Sequence, residues 1–309
     1  MSNVGDEVPF VGIPTFCKFP YTKSLDGVDV AIIGAPIDQG TTNRPGTRYG
    51  PRAIREASQI YGPFFVAEQG IYDVELGRYK LGSTKIIDYG DVPVAPTLNE
   101  LNLDLITLYI QEILNSKVFP IILGGDHSIT FPVIRAFKDT PLNIVHFDTH
   151  LDFMDDIAGV RISHANPFKR ATELKHVNGI TQIGIRGLLN PTFITDEAKK
   201  YGSKIITAER AIKQGTEWVL EQIPESENLY VSIDIDALDP SVAPGTGTPE
   251  PGGFTYLQMR EMLTALPKKG NIVGFDLVEV NPLYDPTGVT AQLAVRLIID
   301  FLAAIREKK

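Results

Sequence analysis

The chain has 309 residues, 43% of them hydrophobic, with 38 acidic against 29 basic side chains, a net charge of −9 and a pI near 5.1. That balance gives no basic footprint for nucleic acid or an anionic membrane, and no window reaches the ~18 apolar residues of a membrane span. The single cysteine, Cys17, excludes an intrachain disulfide and reads as an ordinary buried thiol; the start, MSNVGDEVPF, lacks the basic and apolar regions of a secretory signal, so a cytoplasmic location is expected.

No repeat, charge block or Ser/Gly-rich tract divides the chain, so residues 29–309 read as one domain preceded by an arm over 1–28. The first strand is 29–35, DVAIIGA. The loop after it carries Asn43, Arg44 and three glycines, and Pro51 opens a helix where its missing N–H costs nothing. Arg44, Arg48 and Arg52 read foremost as staples between that loop and helix, since arginine offers several donors. A second strand covers 84–92, and apolar residues at helical spacing mark a covering helix over 99–116. The strand 118–123 gives way to Gly124-Gly125-Asp126-His127-Ser128, where Ser128 or Asp126 can cap a helix reaching about Phe137.

Next comes LNIVHFDTHLDFMDD, residues 142–156. Its first half reads as a buried strand, and period-two spacing would send Asp148, His150 and Asp152 to one face. Buried carboxylates without a partner are strongly penalised, so a cation is expected there. His146 has the same parity but sits a step earlier and reads as a core histidine. Asn166 and Pro167 read as the cap and first residue of the following helix.

Strands at 180–186 and 204–208 alternate with helices at 192–201 and 208–222. The strand 228–238 carries Asp234 and Asp236, a helix covers 255–266, an eighth strand, 271–280, brings Glu279, and a helix over 288–306 closes the chain. His176 lies in a polar turn and carries no functional case. Eight strands alternating with helices predict an α/β fold: a single three-layer domain with an eight-stranded, mostly parallel sheet and helices on both faces. Ligands of such sheets bind at the carboxyl ends of strands, where His127, Asp148, His150, Asp152, Asp234 and Asp236 can converge. Four carboxylates and two neutral imidazoles balance two divalent cations, and the oxygen-rich set favours manganese, nickel or iron over structural zinc.

The motifs GGDHS at 124–128, DTHLD at 148–152, SIDID at 232–236 and PGTGTPEPGG at 244–253, in that order, resemble the ureohydrolases, the family of agmatinases and arginases. The resemblance runs from about Gly12 to the last helix. It implies an arginase-like fold with strand order 2-1-3-8-7-4-5-6 and a homo-oligomer, trimer or hexamer. The reaction it implies is hydrolysis of a guanidinium carbon–nitrogen bond in a small guanidino compound, giving urea and an amine or ammonia, with two divalent ions, Mn2+ or Ni2+. His127, Asp148, Asp152 and Asp234 would hold one ion; Asp148, His150, Asp234 and Asp236 would hold the other. Asp152 would relay a proton, His164 would exchange protons with solvent, and Glu279 would receive the guanidinium.

The chain departs from the agmatinase pattern at DTHLDF, and Ala165 follows the shuttle histidine where the family has glycine. Phe153 and Met154 are bulkier than the usual residues and are expected to narrow the pocket toward a short substrate, guanidine itself. Against that, Asp155 and Asp156 are candidates to receive the amine of agmatine, and Arg161 or Arg44 to clamp a carboxylate tail such as that of guanidinobutyrate. Arginine is least favoured, because the asparagine with which the family reads its α-carboxylate falls near Met154. A catalytically idle regulatory homologue is the alternative of a different class.

Overall fold

Runs such as VAIIGA and FPIILG are buried along their whole length, as strands covered on both faces require. The computed structural model describes residues 8–66 and 68–307. Its large sheet contains β1 (Val30–Ala35), β5 (Ile86–Asp91), β6 (Phe119–Gly124), β7 (Leu142–Phe147), β8 (Val177–Ile185), β9 (Lys204–Thr207), β10 (Ser226–Asp234) and β11 (Gly270–Val278). A separate antiparallel sheet is built from the short β2 (Phe65–Val66), β3 (Gly70–Asp73) and β4 (Arg78–Leu81).

The large sheet runs β5-β1-β6-β11-β10-β7-β8-β9, with every neighbouring pair parallel. Counted within that sheet, this is the order the family resemblance implied. It sets β11 between β6 and β10, so the residues leaving these three strands meet at one edge of the sheet.

The strands alternate between two apolar layers. Val30 and Ile32 of β1 face the layer of α1 (Gly50–Ser58), α6 (Ala208–Gln222), α7 (Tyr256–Ala265) and α8 (Val289–Glu307). Ala31, Ile33 and Ala35 face α2 (Asn99–Asn115), α3 (Thr130–Ala136), α4 (Pro167–Ala171) and α5 (Thr192–Tyr201). The three-layer expectation follows from this period of two.

The small sheet was not foreseen: its strands are two to four residues long and leave Tyr72 and Tyr79 half exposed, so no alternating pattern marks them. It is fastened by Lys80, a buried ammonium 2.7 Å from Asp300 on α8 and 2.5 Å from Asp73. Within the expected arm, residues 1–7 lie outside the described residues. Phe16 and Cys17 are buried, and the Phe16 N–H donates to Asp88 of β5 at 2.8 Å.

Candidate active site

Three strand ends build the site. After β6, the Gly125 N–H donates to the Ala35 carbonyl and the Asp126 N–H to that of Ile37, and a side chain at Gly125 would run into the Ile37 carbonyl. Asp126 accepts the Ser128 N–H at 3.0 Å on one oxygen, as the cap expected of it, and the Gly40 N–H at 2.7 Å on the other. This second bond draws the 36–50 loop across the turn, where the Gly40 carbonyl accepts the His164 N–H at 3.1 Å.

The expectation of strand alternation through Asp152 is corrected. β7 stops at Phe147, and residues 148–152 form a loop in which Asp152 adopts φ 47°. The His150 N–H donates to Asp148 Oδ1 at 2.5 Å, which folds the loop back on its own carboxylate. Asp234 is the last residue of β10, and Asp236 comes from a single turn in which its N–H donates to Asp234 Oδ1 at 2.8 Å. The side chains gather because the chain turns at a shared sheet edge rather than because it continues as strand.

His127 Nδ1 lies 3.1 Å from Asp148 Oδ2, 2.9 Å from Asp152 Oδ2 and 3.1 Å from Asp234 Oδ2. Its other nitrogen, Nε2, lies 2.9 Å from Ser232 Oγ. The Ser232 hydroxyl donates to Asp276 Oδ1 at 2.6 Å, so Nε2 carries a proton and Nδ1 is the atom turned to the carboxylates; burial opposes a second proton, but those carboxylates raise the imidazole's pKa well above its ordinary value. Three carboxylate oxygens converging on Nδ1 make a place for positive charge, a proton on the ring or, in exchange for it, a metal cation. Around His150 Nδ1, Asp148 Oδ1 at 3.4 Å and Asp236 Oδ2 at 3.3 Å form a second group that shares Asp148 with the first. Burial, with the charges of Asp236 and Asp148, pushes Asp234 well above the usual carboxylate range; burial and Asp148 push Asp236 up to about 6. The residues present fit divalent cations.

His146, read from sequence as a core histidine, is buried but holds Asp148: its Nε2 is 2.8 Å from Asp148 Oδ2. Gln182 Nε2 donates to the Leu151 carbonyl at 2.7 Å, so the same amide nitrogen faces His146 Nδ1 at 3.1 Å and leaves the proton on Nε2. Both His146 and Ser232 share parity with acidic residues further along their strands, and that was the available signal. Asp276 and Thr42 gave none.

Glu279 follows β11 at φ 63°, its N–H donating to the Gly125 carbonyl at 2.9 Å. Its Oε1 accepts the His127 N–H at 2.9 Å and stands 3.3 Å from His164 Nδ1. His164 Nε2 faces the Thr42 N–H at 3.2 Å and the Thr42 hydroxyl at 2.8 Å. A backbone N–H can only donate, so this geometry describes an imidazole with its proton on Nδ1. Burial opposes a second proton, while Glu279 favours it and raises the pKa to about 9; taking it up requires Thr42 to give way.

Between these groups opens a cleft of about 200 Å³, lined by His150, Asp152, Met154, His164, Asp234 and Glu279 among others. Phe153 does not reach it: the ring is buried against Tyr201, 6.1 Å between centroids. Asp155 is also turned elsewhere, held by Arg170, and Asp156 accepts the Gly159 N–H at 2.8 Å. Arg161 pairs with Glu173 at 2.6 Å, and Arg44 lies over the ring of Tyr284 at 5.1 Å. Arg48 pairs with Asp38 inside the loop and Arg52 with Glu56 inside α1, so neither forms the expected tie between loop and helix. Asn166 does not cap its helix through its side chain; its Nδ2 donates to the Met154 carbonyl at 2.8 Å and so fixes the residue that does line the cleft.

A parallel α/β sheet whose strand ends collect imidazoles and carboxylates over a narrow cleft defines a protein with an acidic, cation-seeking centre. Residues 28–304 match the arginase family. The chain is 36% identical to guanidinobutyrase of Pseudomonas aeruginosa, over 97% of this chain and 95% of the relative, and 36% identical to mitochondrial agmatinase of Gallus gallus, over 96% and 86%. The solved structure of proclavaminate amidinohydrolase from Streptomyces clavuligerus superposes with a TM-score of 0.86 at 33% identity, covering 98% of this chain and all of that one. The chain belongs to the arginase family and is a ureohydrolase.

Proposed function

We propose that this enzyme is a dinuclear metal-dependent hydrolase of a small guanidino compound, agmatine or guanidine, cutting the guanidinium carbon–nitrogen bond. The observation that carries the proposal is the Nδ1 of His127 set among Asp148, Asp152 and Asp234, with Glu279 one hydrogen bond away. His127, Asp148, Asp152 and Asp234 would hold one cation and Asp148, His150, Asp234 and Asp236 the other. When bound, a manganese or nickel pair supplies Lewis-acid charge and brings the pKa of a water at the site toward neutrality. The catalytic unit in this reading is residues 29–309, with 1–28 as an arm, and the assembly is a homo-oligomer.

Glu279 receives the guanidinium. Oε1 is shared with the His127 N–H, and Oε2 has no hydrogen bond among the described residues, leaving it open to the planar fork of N–H donors. Asp152 takes a proton from the attacking water and passes it to the departing nitrogen. One carbon–oxygen bond forms as one carbon–nitrogen bond breaks: water and the guanidinium give urea and an ammonium ion, which is free ammonium when the substrate is guanidine. His164, at the mouth with its Nε2 on Thr42, exchanges protons with solvent.

The test is urea release by the chain stripped of metal and reloaded with manganese or nickel, across guanidine, agmatine, guanidinobutyrate and arginine. Urea from at least one substrate, lost on chelation and reduced about a hundredfold or more in Asp152→Asn, supports the proposal. Two metals bound and no urea from any of them would leave the idle regulatory homologue.

A further inference from the structure

The reaction leaves open what lies beyond the guanidinium, and the wall of the cleft bears on it. Apart from His150 on the floor, whose Nε2 has no hydrogen bond among the described residues, its uncharged polar side chains are committed to the protein. Asn190 donates to the carbonyls of Thr149 at 3.0 Å and Arg186 at 2.7 Å, and accepts the Leu151 N–H at 2.9 Å. Thr42 serves His164, and Thr248 leans on Asp236 at 3.5 Å. The remaining wall is Leu151, Met154, Ile157, Ala165, Leu189 and Ile194.

Among the described residues no lysine or arginine lines the cleft, and its carboxylates, Asp152, Asp234 and Glu279, belong to the floor. The candidates for reading a charged tail lie outside its lining: Asp155 is held by Arg170, Arg161 by Glu173, Asp156 accepts the Gly159 N–H, and Arg44 lies over Tyr284. The apolar character continues outward in sequence, with Leu188 94%, Phe193 60% and Val160 54% exposed. At about 200 Å³ the space is also below the roughly 300–1,000 Å³ usual for larger ligands.

We infer that the cleft selects guanidino compounds with a short, uncharged tail, alkylguanidines or guanidine itself, over those ending in an ammonium or a carboxylate. The inference rests on the ureohydrolase reading of the floor. A charged tail end entering the cleft exchanges its water for methyl and methylene groups and finds no partner, whereas an alkyl tail gains from the same contact.

The experiment compares n-butylguanidine with agmatine and 4-guanidinobutyrate on the metal-loaded chain, compounds of similar length that differ at the tail end. Two readouts are taken: kcat/KM for urea release, and dissociation constants by calorimetry. n-Butylguanidine should lead both others by roughly tenfold or more in each. Agmatine or 4-guanidinobutyrate binding tighter than n-butylguanidine overturns the inference. Leu189→Asp, at a half-exposed position that tolerates charge, and Ile157→Asp should each shift the ratio toward agmatine; a ratio unmoved in both folded variants also overturns it. No urea from any compound, with n-butylguanidine still the tightest ligand, upholds the wall and defeats the ureohydrolase reading instead.

Discussion

At Ser232 a hydroxyl with no chemistry of its own sets the protonation of a neighbouring ring. It donates its hydrogen bond to Asp276, whose other oxygen is already filled by Tyr230 at 2.6 Å and Thr130 at 2.9 Å, so His127 has to donate from Nε2 and turn Nδ1 to the carboxylates. Ser232→Ala removes that acceptor. The variant should bind manganese about 10–100-fold more weakly by competition with a chelator, with its circular dichroism unchanged. Backbone strain gathers at the same place: Asp152 and Glu279 both take left-handed angles, φ 47° and 63°, at about 1–2 kcal/mol each relative to ordinary backbone. Asp152 and Glu279 were legible as acidic residues at strand ends, but their backbone angles were not, because the bonds that impose them come from Gly125 and Phe168, far away in sequence.

Between elements, the most demanding joint is the one α1 makes with β5. Arg55 donates to Asp88 from Nε at 2.8 Å and Nη2 at 3.0 Å, and from Nη1 to Asp91 at 2.6 Å, with Arg55 and Asp88 both buried. Arg55→Met leaves the Asp88 carboxylate uncompensated and should lower stability by about 3–5 kcal/mol, read from the urea unfolding midpoint. Adding Asp88→Asn should recover part of that loss. Element positions were readable because apolar runs and turn residues mark them: the helices at 192–201 and 208–222 fall where they were read. The end of β7 was not readable, because DTHLD continues the alternation of a strand and only the neighbouring strand decides where pairing stops. The Asp148 N–H makes the last rung, to Ile183 at 3.0 Å, and beyond it Arg186 reaches back to Thr149.

Across the whole molecule, folding forces acidic groups together at the junction of β6, β11, β10 and β7. Asp148, Asp234 and Asp236 are almost wholly buried there; burial and repulsion raise Asp234 and Asp236, while His146, His127 and His150 hold Asp148 down against its burial, and in the proposed reading a cation relieves the repulsion. Thermal unfolding should therefore be metal-linked. Chelation should lower Tm, and manganese at a hundredfold over its dissociation constant should return about 2.7 kcal/mol, with magnesium at equal concentration returning less. An unchanged Tm on chelation of the fully loaded chain would contradict a cation in this cluster. The sequence by itself determined the α/β class and the candidate acidic and imidazole groups, since alternation, glycine turns and strand-end carboxylates are local patterns that survive in one dimension. The resemblance to the ureohydrolases supplied the strand order, which local pattern could not. Only the tertiary structure decided that His146 holds Asp148, that Ser232 and Asp276 orient His127, and that Phe153, Asp155 and Asp156 turn away while Met154 stays. Each of those outcomes is a contact between residues on different strands or loops, and burial selects such contacts only once the sheet has brought them together.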